Sequence, residues 1–360
     1  MTNSAGTGEL GGRAWPGLAG PGPGSGRRLG RPVARRRARV GGPPVVAGAA
    51  APKEPPLRVP DQSGRSVVVT GGNSGIGREA AERLAAAGAR VVLTARDEAK
   101  GAAAVEEIRS AHPRADVELR LLDLADLASV AAFADGLARD LPHLDALLNN
   151  AGVMAPPTRF ETVDGFELQM GTNVLGPLAL TNRLLPLLLA ASAPRVVWTS
   201  SGVAHLGRIR FDDLQARRHY RPWAAYAQSK LADLLLGRHL AHVADERGWP
   251  LLSVVTHPGF TRTNLQTAGA SLGGGTPRRS PFGSRSPIPS MAPAEGALSL
   301  LLAATGPDVA QGGYLGPTGT LGIVGPPGPV RLSRRMRDDA TAARLWHVAE
   351  DLTGTSLPPA

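Results

Sequence analysis

From Arg65 onward, short β-branched runs alternate with stretches of helical period, and no other feature of the sequence restricts the fold so strongly. Strands are expected at 66–70, 90–95, 117–122, 146–149, 195–199 and 251–256, with a short last one near 313–315. Helical patterns fill the gaps at 75–88, 98–111, 127–140, 165–191, 224–247 and 294–304. Strands that alternate with helices build βαβ units. Runs such as Val67-Val68-Val69 and Val91-Val92-Leu93 are apolar on both faces, as strands of a parallel sheet covered on both sides must be. The expected fold class is therefore α/β, a doubly wound parallel sheet in a single domain over 61–360.

The unusual residues then fall in one place. Gly71 follows the first strand, Arg96 the second, Asp123 the third, Asn150 the fourth, Ser200-Ser201 the fifth and His257-Pro258-Gly259 the sixth. In an open α/β sheet, ligands bind in the crevice at the carboxyl ends of the strands. Polar residues scattered for solubility would not select that edge six times.

The remaining segments limit the function more than they define it. Residues 1–60 are rich in Gly, Pro, Ala and Arg and have no apolar period, so they are expected to be a disordered tail. They carry +8 of the chain's net charge of +10, so the basicity does not belong to the folded body. Several meanings of the tail stay open: a start placed too far upstream or a plain extension, a basic arm for nucleic acid or membrane, or a poor export signal. Residues 269–290, low in complexity, are either a mobile loop over a pocket or a surface insertion. The absence of cysteine excludes disulfides, thiolate metal sites and a cysteine nucleophile. No apolar run reaches the roughly 18 residues of a membrane span, so a soluble, cytoplasmic protein without stable membrane insertion and without a nucleic-acid partner is expected.

The first strand leads into Thr70-Gly71-Gly72-Asn73-Ser74-Gly75-Ile76-Gly77 and then a helix. Glycines let the backbone turn tightly and come close to a pyrophosphate, which the helix N-terminus attracts. Taken alone, the segment is equally a tight βα turn. The second strand ends in Arg96 with no carboxylate at Ala95, a pattern that favours the 2′-phosphate of NADP(H), with NAD(H) still open. Asp97 and Glu98 fit the acidic first turn of the next helix, and Arg96 read without its context is a solvated side chain. Tyr226 and Lys230 lie four residues apart in a helical pattern and so share a face. An ammonium beside a phenol lowers its pKa, which suits proton exchange with a substrate oxygen while hydride moves at carbon. In isolation the same spacing describes an exposed helix pair.

Taken jointly, Thr70-Gly71-x3-Gly75-Ile76-Gly77, Asn149-Asn150-Ala151-Gly152, Ser201, Tyr226-x3-Lys230 and Pro258-Gly259 resemble the short-chain dehydrogenase/reductase family, in its order and over about 63–355. The resemblance implies a Rossmann-type fold and an oxidoreductase interconverting a carbonyl and an alcohol with NAD(P). It implies that Tyr226 exchanges the proton, Lys230 binds the nicotinamide ribose and lowers the tyrosine pKa, and Ser201 hydrogen-bonds the substrate oxygen, with Ser200 the weaker candidate. Asn173 resembles the asparagine that positions a relay water beside Lys230, or else makes a local helix hydrogen bond. For the cofactor, it implies contacts from Gly71, Asn73, Ser74, Gly75, Ile76, Gly77, Arg96, Asp123, Leu124, Asn150, Ala151, Gly152, Pro258, Gly259 and Thr263, besides Tyr226 and Lys230. Asp123 is open between adenine contact and a helix cap. No metal is implied.

Ser200–Arg208 and Ala343-Arg344-Leu345-Trp346 are similar to the retinol-dehydrogenase-like and WW-domain-oxidoreductase-like branch, which points to a lipophilic small molecule. The hydrophobic anchor of the membrane-bound animal members is not found, which weighs against a retinoid. His205 either reaches the pocket or is a surface or core histidine. Relatives pack through their long helices, implying a homodimer or homotetramer. A nucleotide-sensing or interaction protein on the same fold is the alternative, since fold does not fix function.

Overall fold

The structure, a computed structural model, describes residues 57–265, 269, 272 and 289–359, all within the unit Pro55–Ala360. The expected tail (but for 57–60) and the expected loop 269–290 (but for 269, 272, 289 and 290) lie outside the described residues.

Among the described residues, one sheet holds eight strands in the order β3-β2-β1-β4-β5-β6-β7-β8. They are β1 (Ser66–Val69), β2 (Arg90–Ala95), β3 (Val117–Leu121), β4 (Ala146–Asn149), β5 (Arg195–Thr199), β6 (Leu252–Thr256), β7 (Tyr314–Pro317) and β8 (Pro327–Pro329). Pairing is parallel from β3 through β7 and antiparallel only between β7 and β8. The chain order reverses between β1 and β4, which places a topological switch point beside the glycine turn.

Period-two alternation divides the strand side chains between two cores. Val68, Val92, Leu147, Val196 and Val255 face one. Val67, Val69, Val91, Leu93, Leu148, Val197 and Val254 face the other. The second core is closed by α1 (Gly75–Ala86) and α2 (Glu98–Ala111), and, beyond the sixth strand, by α7 (Pro293–Thr305). The first is closed by α3 (Leu127–Asp140), α5 (Gly176–Leu189), α6 (Pro222–Glu246) and α8 (Asp339–Thr353). Helix starts follow the sequence chemistry: Asp97 accepts from Lys100 N and Asp126 from Ala128 N as N-caps.

The expected single helix over 165–191 is interrupted. A short α4 (Leu168–Met170) begins under Glu167, whose carboxylate accepts from the N–H groups of Gln169 and Met170. A π-helical turn over Gly171–Leu175 precedes α5. Pro177 has no N–H, so the carbonyl of Asn173 loses its α-helical donor at that point.

Two elements go beyond the sequence expectation. β8, a Pro-Gly-Pro strand, has no intrinsic β-propensity and exists through its pairing with β7. Helix α8 is capped by Asp338 and lays Ala342, Leu345, Trp346 and Ala349 against the core shared with α5 and α6. It thereby covers part of the helix surface expected for self-association. Trp346 is 1% exposed. Trp346→Ala is expected to cost about 3–5 kcal/mol, read as a lower denaturation midpoint in urea; an unchanged midpoint would show that α8 does not hold the core.

Candidate active site

Thr70, at the end of β1, ties the strand ends together. Its buried hydroxyl donates to Leu148 O (3.1 Å) and accepts from the N–H groups of Asn150 (2.9 Å) and Ala151 (3.0 Å). The Asn150 side chain donates back to Thr70 O (2.9 Å). This cross-strand lattice fixes the floor of a cleft of about 550 Å³ at the carboxyl ends of the strands. Gly71, Asn73, Ser74, Gly75, Ile76 and Gly77 form one wall. Gly75 has φ +56°, a left-handed backbone that side chains disfavour. A methyl group at Gly77 would collide with Gly71 O and the Asn150 amide, so the turn is packed to its limit. Ser74 makes no side-chain cap bond, and the first turn of α1 has no acidic residue, which leaves its amide groups suited to an anion.

Arg96, Leu124, Ala151, Gly152 and Thr263 complete the cleft, joined by Lys100 and Thr172, which sequence reasoning missed. Asp97 also borders it, but its carboxylate is engaged as the helix cap and by Lys100 Nζ at 3.0 Å. Asp123 does not line the cleft. Its Oδ1 accepts from Ala125 N (2.9 Å), closing a local turn, while Asp126 caps α3.

A smaller cavity of about 160 Å³ opens next to the cleft and shares Ile76, Asn150, Gly152 and Thr263 with it. Ser201, Tyr226, Lys230, Pro258 and Gly259 line it, so the structure brings together residues that lie far apart in sequence. Tyr226 is 5% exposed, and the Ser201 side chain beside its hydroxyl acts to lower the phenol pKa. Lys230 Nζ lies 6.0 Å from the Tyr226 ring centre. It donates to Thr199 O and to Asp233 Oδ2, both at 2.8 Å. Ser200 also lines the cavity, but its hydroxyl donates to Lys230 O, a bond that supports the strand end. The Asn173 side chain makes no direct hydrogen bond to Lys230: it clamps Val153 through both O and N (2.7 and 3.0 Å) and donates to Ser229 Oγ (2.9 Å), which fixes the loop after β4.

The expected fall of the tyrosine pKa is not the net result here. Burial raises it and outweighs the pull of Lys230 and the Ser201 hydrogen bond, while Asp233 adds to the rise. For Lys230, burial favours the neutral amine, but Asp233 and Tyr226 overcome it and hold the ammonium above its usual range. Beside the Pro258-Gly259 turn, His257 accepts from Gly259 N at 3.3 Å, and burial pushes its pKa down to about 4, so it is a neutral brace. His205 is exposed and does not line either cavity. The signal for Asp233 was legible, three residues after Lys230 on the same helix, but nothing in the sequence alone showed that its carboxylate faces inward. Val153, Met154, Val203, Trp223, Phe260 and Leu265 form apolar walls, and Trp223 meets Tyr226 edge-on at 6.0 Å. Among the described residues, no cluster of His, Asp or Glu suits a metal and no helix is long and apolar enough to cross a membrane.

The short chain dehydrogenase family profile matches residues 65–271. Human retinol dehydrogenase 12 is 38% identical over 293 residues, 81% of this chain and 87% of that one. The bovine retinol dehydrogenase 12 is 44% identical over 202 residues, a match that spans only 63% of the bovine protein. Mouse polyprenol dehydrogenase is 39% identical over 83% of this chain and 87% of its own. Among solved structures, an uncharacterized Mycobacterium paratuberculosis protein superposes with a TM-score of 0.69 at 41% identity, over 84% of this chain and 97% of that one. A short-chain dehydrogenase of Escherichia coli CFT073 complexed with NADPH gives 0.51 at 28% identity, over 69% and 92%.

The chain belongs to the short-chain dehydrogenase family, in its retinol-dehydrogenase-like branch. It is an oxidoreductase with an NAD(P)-binding Rossmann fold that acts on CH–OH or C=O groups.

Proposed function

We propose that the protein is an NADP(H)-dependent oxidoreductase that interconverts a carbonyl and an alcohol on a lipophilic small molecule, with Tyr226 as the acid/base. The observation that carries this reading is the convergence of Ser201, Tyr226 and Lys230 on a cavity contiguous with the glycine-turn cleft. The cleft fits a dinucleotide: uncapped amides at the start of α1 meet a pyrophosphate, and Thr263 lies where the two cavities join. When bound, the nicotinamide supplies or takes up hydride at the substrate carbon.

The residues do the rest. Ser201 holds the substrate oxygen beside the Tyr226 hydroxyl. In reduction Tyr226 donates its proton to that oxygen as the carbon–oxygen double bond becomes single; in oxidation the phenolate takes the proton back. Lys230, kept charged, stabilises the phenolate and offers a donor toward Gly152 and the cleft. The raised phenol suits reduction at neutral pH, because the acid form is then abundant. The apolar walls select for a lipophilic substrate, and the retinol and polyprenol dehydrogenases among the relatives support that class. Self-association as a homodimer or homotetramer, through helix surface that α8 leaves open, belongs to the same reading.

Arg96 at the end of β2 supports NADP(H) over NAD(H). Arg96→Asp is expected to raise the KM for NADPH about 10- to 100-fold, the worth of a charge-assisted hydrogen bond, with kcat retained. Steady-state oxidation of NADPH and NADH with aliphatic, aromatic and polyprenyl aldehydes tests both points. Tight NADPH binding without turnover of any carbonyl would favour a nucleotide sensor instead.

A further inference from the structure

Resting on that reading of Tyr226 and Lys230, we propose that Asp233 is a positioning residue: a buried counter-ion that damps the pull of Lys230 on the Tyr226 phenol and so sets the pH at which the proton transfer operates. Lys230 and Asp233 side chains are 5% and 3% exposed and meet at 2.8 Å. The carboxylate is set back from the cavity: Lys230 and Tyr226 line it and Asp233 does not. Two of the three ammonium N–H groups are committed, to Thr199 O and to Asp233, which aims the third. The other carboxylate oxygen, Asp233 Oδ1, is buried without a hydrogen-bond partner. A buried acid held this way, one residue turn beyond a functional lysine, is costly as a purely structural device.

The consequence is electrostatic. A lone ammonium beside a phenol stabilises the phenolate strongly in a low-dielectric site; an ammonium paired with a carboxylate presents a weaker, dipolar field. Burial pushes Asp233 up to about 6, so it is ionised on the alkaline side, where a phenol raised by burial gives up its proton. Its charge adds to the rise at Tyr226. Other titratable groups on elements packed against α6 face elsewhere. Glu167 faces Tyr220 and Arg159 before α4; His257 and Tyr314, at β6 and β7, meet ring to ring, and the Tyr314 hydroxyl donates to Ser201 O at 3.3 Å. His205, in the turn after β5, acts on His257, and His347 and Glu350 on α8 act on His239. The one charged group that perturbs Asp233 is Lys230.

Asp233→Asn and Asp233→Ser remove the charge with little change in volume, and a retained denaturation midpoint in either suffices for the test. The pH profile of alcohol oxidation by holoenzyme is expected to shift its rising limb down by about one pH unit, the size of a Coulomb term across a few ångströms at intermediate dielectric. Asp233→Glu is expected to keep the limb where it is. A second readout needs no substrate: ultraviolet difference titration of phenolate, blanked against Tyr226→Phe. The chain has three tyrosines, all raised by burial, and the Tyr226→Phe blank is what isolates the Tyr226 signal from Tyr220 and Tyr314. A limb and a phenolate titration that stay put, or move to higher pH, would overturn the proposal. The reading beneath it fails separately: Tyr226→Phe would then be active in both backgrounds.

Discussion

Lys230→Met is expected to lower kcat/KM for carbonyl reduction by at least about 10³-fold, through loss of the positive charge beside the developing phenolate. It is also expected to destabilise the fold by about 3–5 kcal/mol at neutral pH. The second effect follows from what the lysine leaves behind. Asp233, 2.8 Å away and buried, loses its one charged partner among the described residues. Its folded-state pKa, already raised by burial, climbs further above the unfolded value. A carboxyl whose pKa is raised on folding weakens the fold as pH rises and costs least when protonated. The stability deficit is therefore greatest at neutral pH and shrinks as the solution is acidified. Urea melts at neutral and mildly acidic pH measure it. Adding Asp233→Asn to Lys230→Met is expected to restore most of the stability and none of the activity, because it removes the orphaned charge without replacing the ammonium. A Lys230→Met protein as stable as the parent at neutral pH would contradict the buried pair.

Tyr226→Phe removes one oxygen atom and is expected to lower kcat by about 10²- to 10⁴-fold, the range for a positioned acid. NADPH affinity, measured by fluorescence titration, is expected to change less than about threefold, since in the proposed reading the dinucleotide rests mainly on the glycine turn, Arg96 and Thr263. Loss of the phenol oxygen beside Ser201 costs at most about 1 kcal/mol and does not threaten the fold, because Ser201 Oγ still accepts from Val203 N. The split between a large kcat effect and a small affinity effect separates a proton donor from a residue that merely shapes the cavity. Full activity in Tyr226→Phe would sink the mechanism.

The sheet and the placement of the site were legible in the sequence for one physical reason. Strands buried on both faces must be continuously apolar, so Val67-Val68-Val69 and Val91-Val92-Leu93 announce themselves, and the residues after five of the first six strands mark the crevice, Asp123 after β3 being the exception. The glycine turn, Tyr226, Lys230 and Ser201 were legible because together, in order, they resemble a known family; each one alone was ambiguous. Elements held by tertiary pairing were not. The Pro-Gly-Pro strand β8 has no local signal, and helix α8 stood beyond the alternating pattern although its apolar spacing was regular. The π turn at Gly171–Leu175 reads as ordinary helix until the missing Pro177 N–H is counted. Side-chain orientation was the least accessible. Asp123 carries the right residue type yet turns to Ala125 N, and Asn173 spends its amide on Val153 and Ser229. The direction of the Tyr226 shift was misjudged from sequence because a Tyr-x3-Lys spacing reveals the ammonium but not the burial or the carboxylate behind it.

A crystal structure of the chain with NADP⁺ tests the central claim most directly. The account predicts the phosphates on the 71–77 turn and the nicotinamide end between Thr263 and the Tyr226–Lys230 face, with the Tyr226 hydroxyl directed into the small cavity beside Ser201. A dinucleotide whose nicotinamide lies away from Tyr226, or a Tyr226 hydroxyl turned out of that cavity, would contradict it.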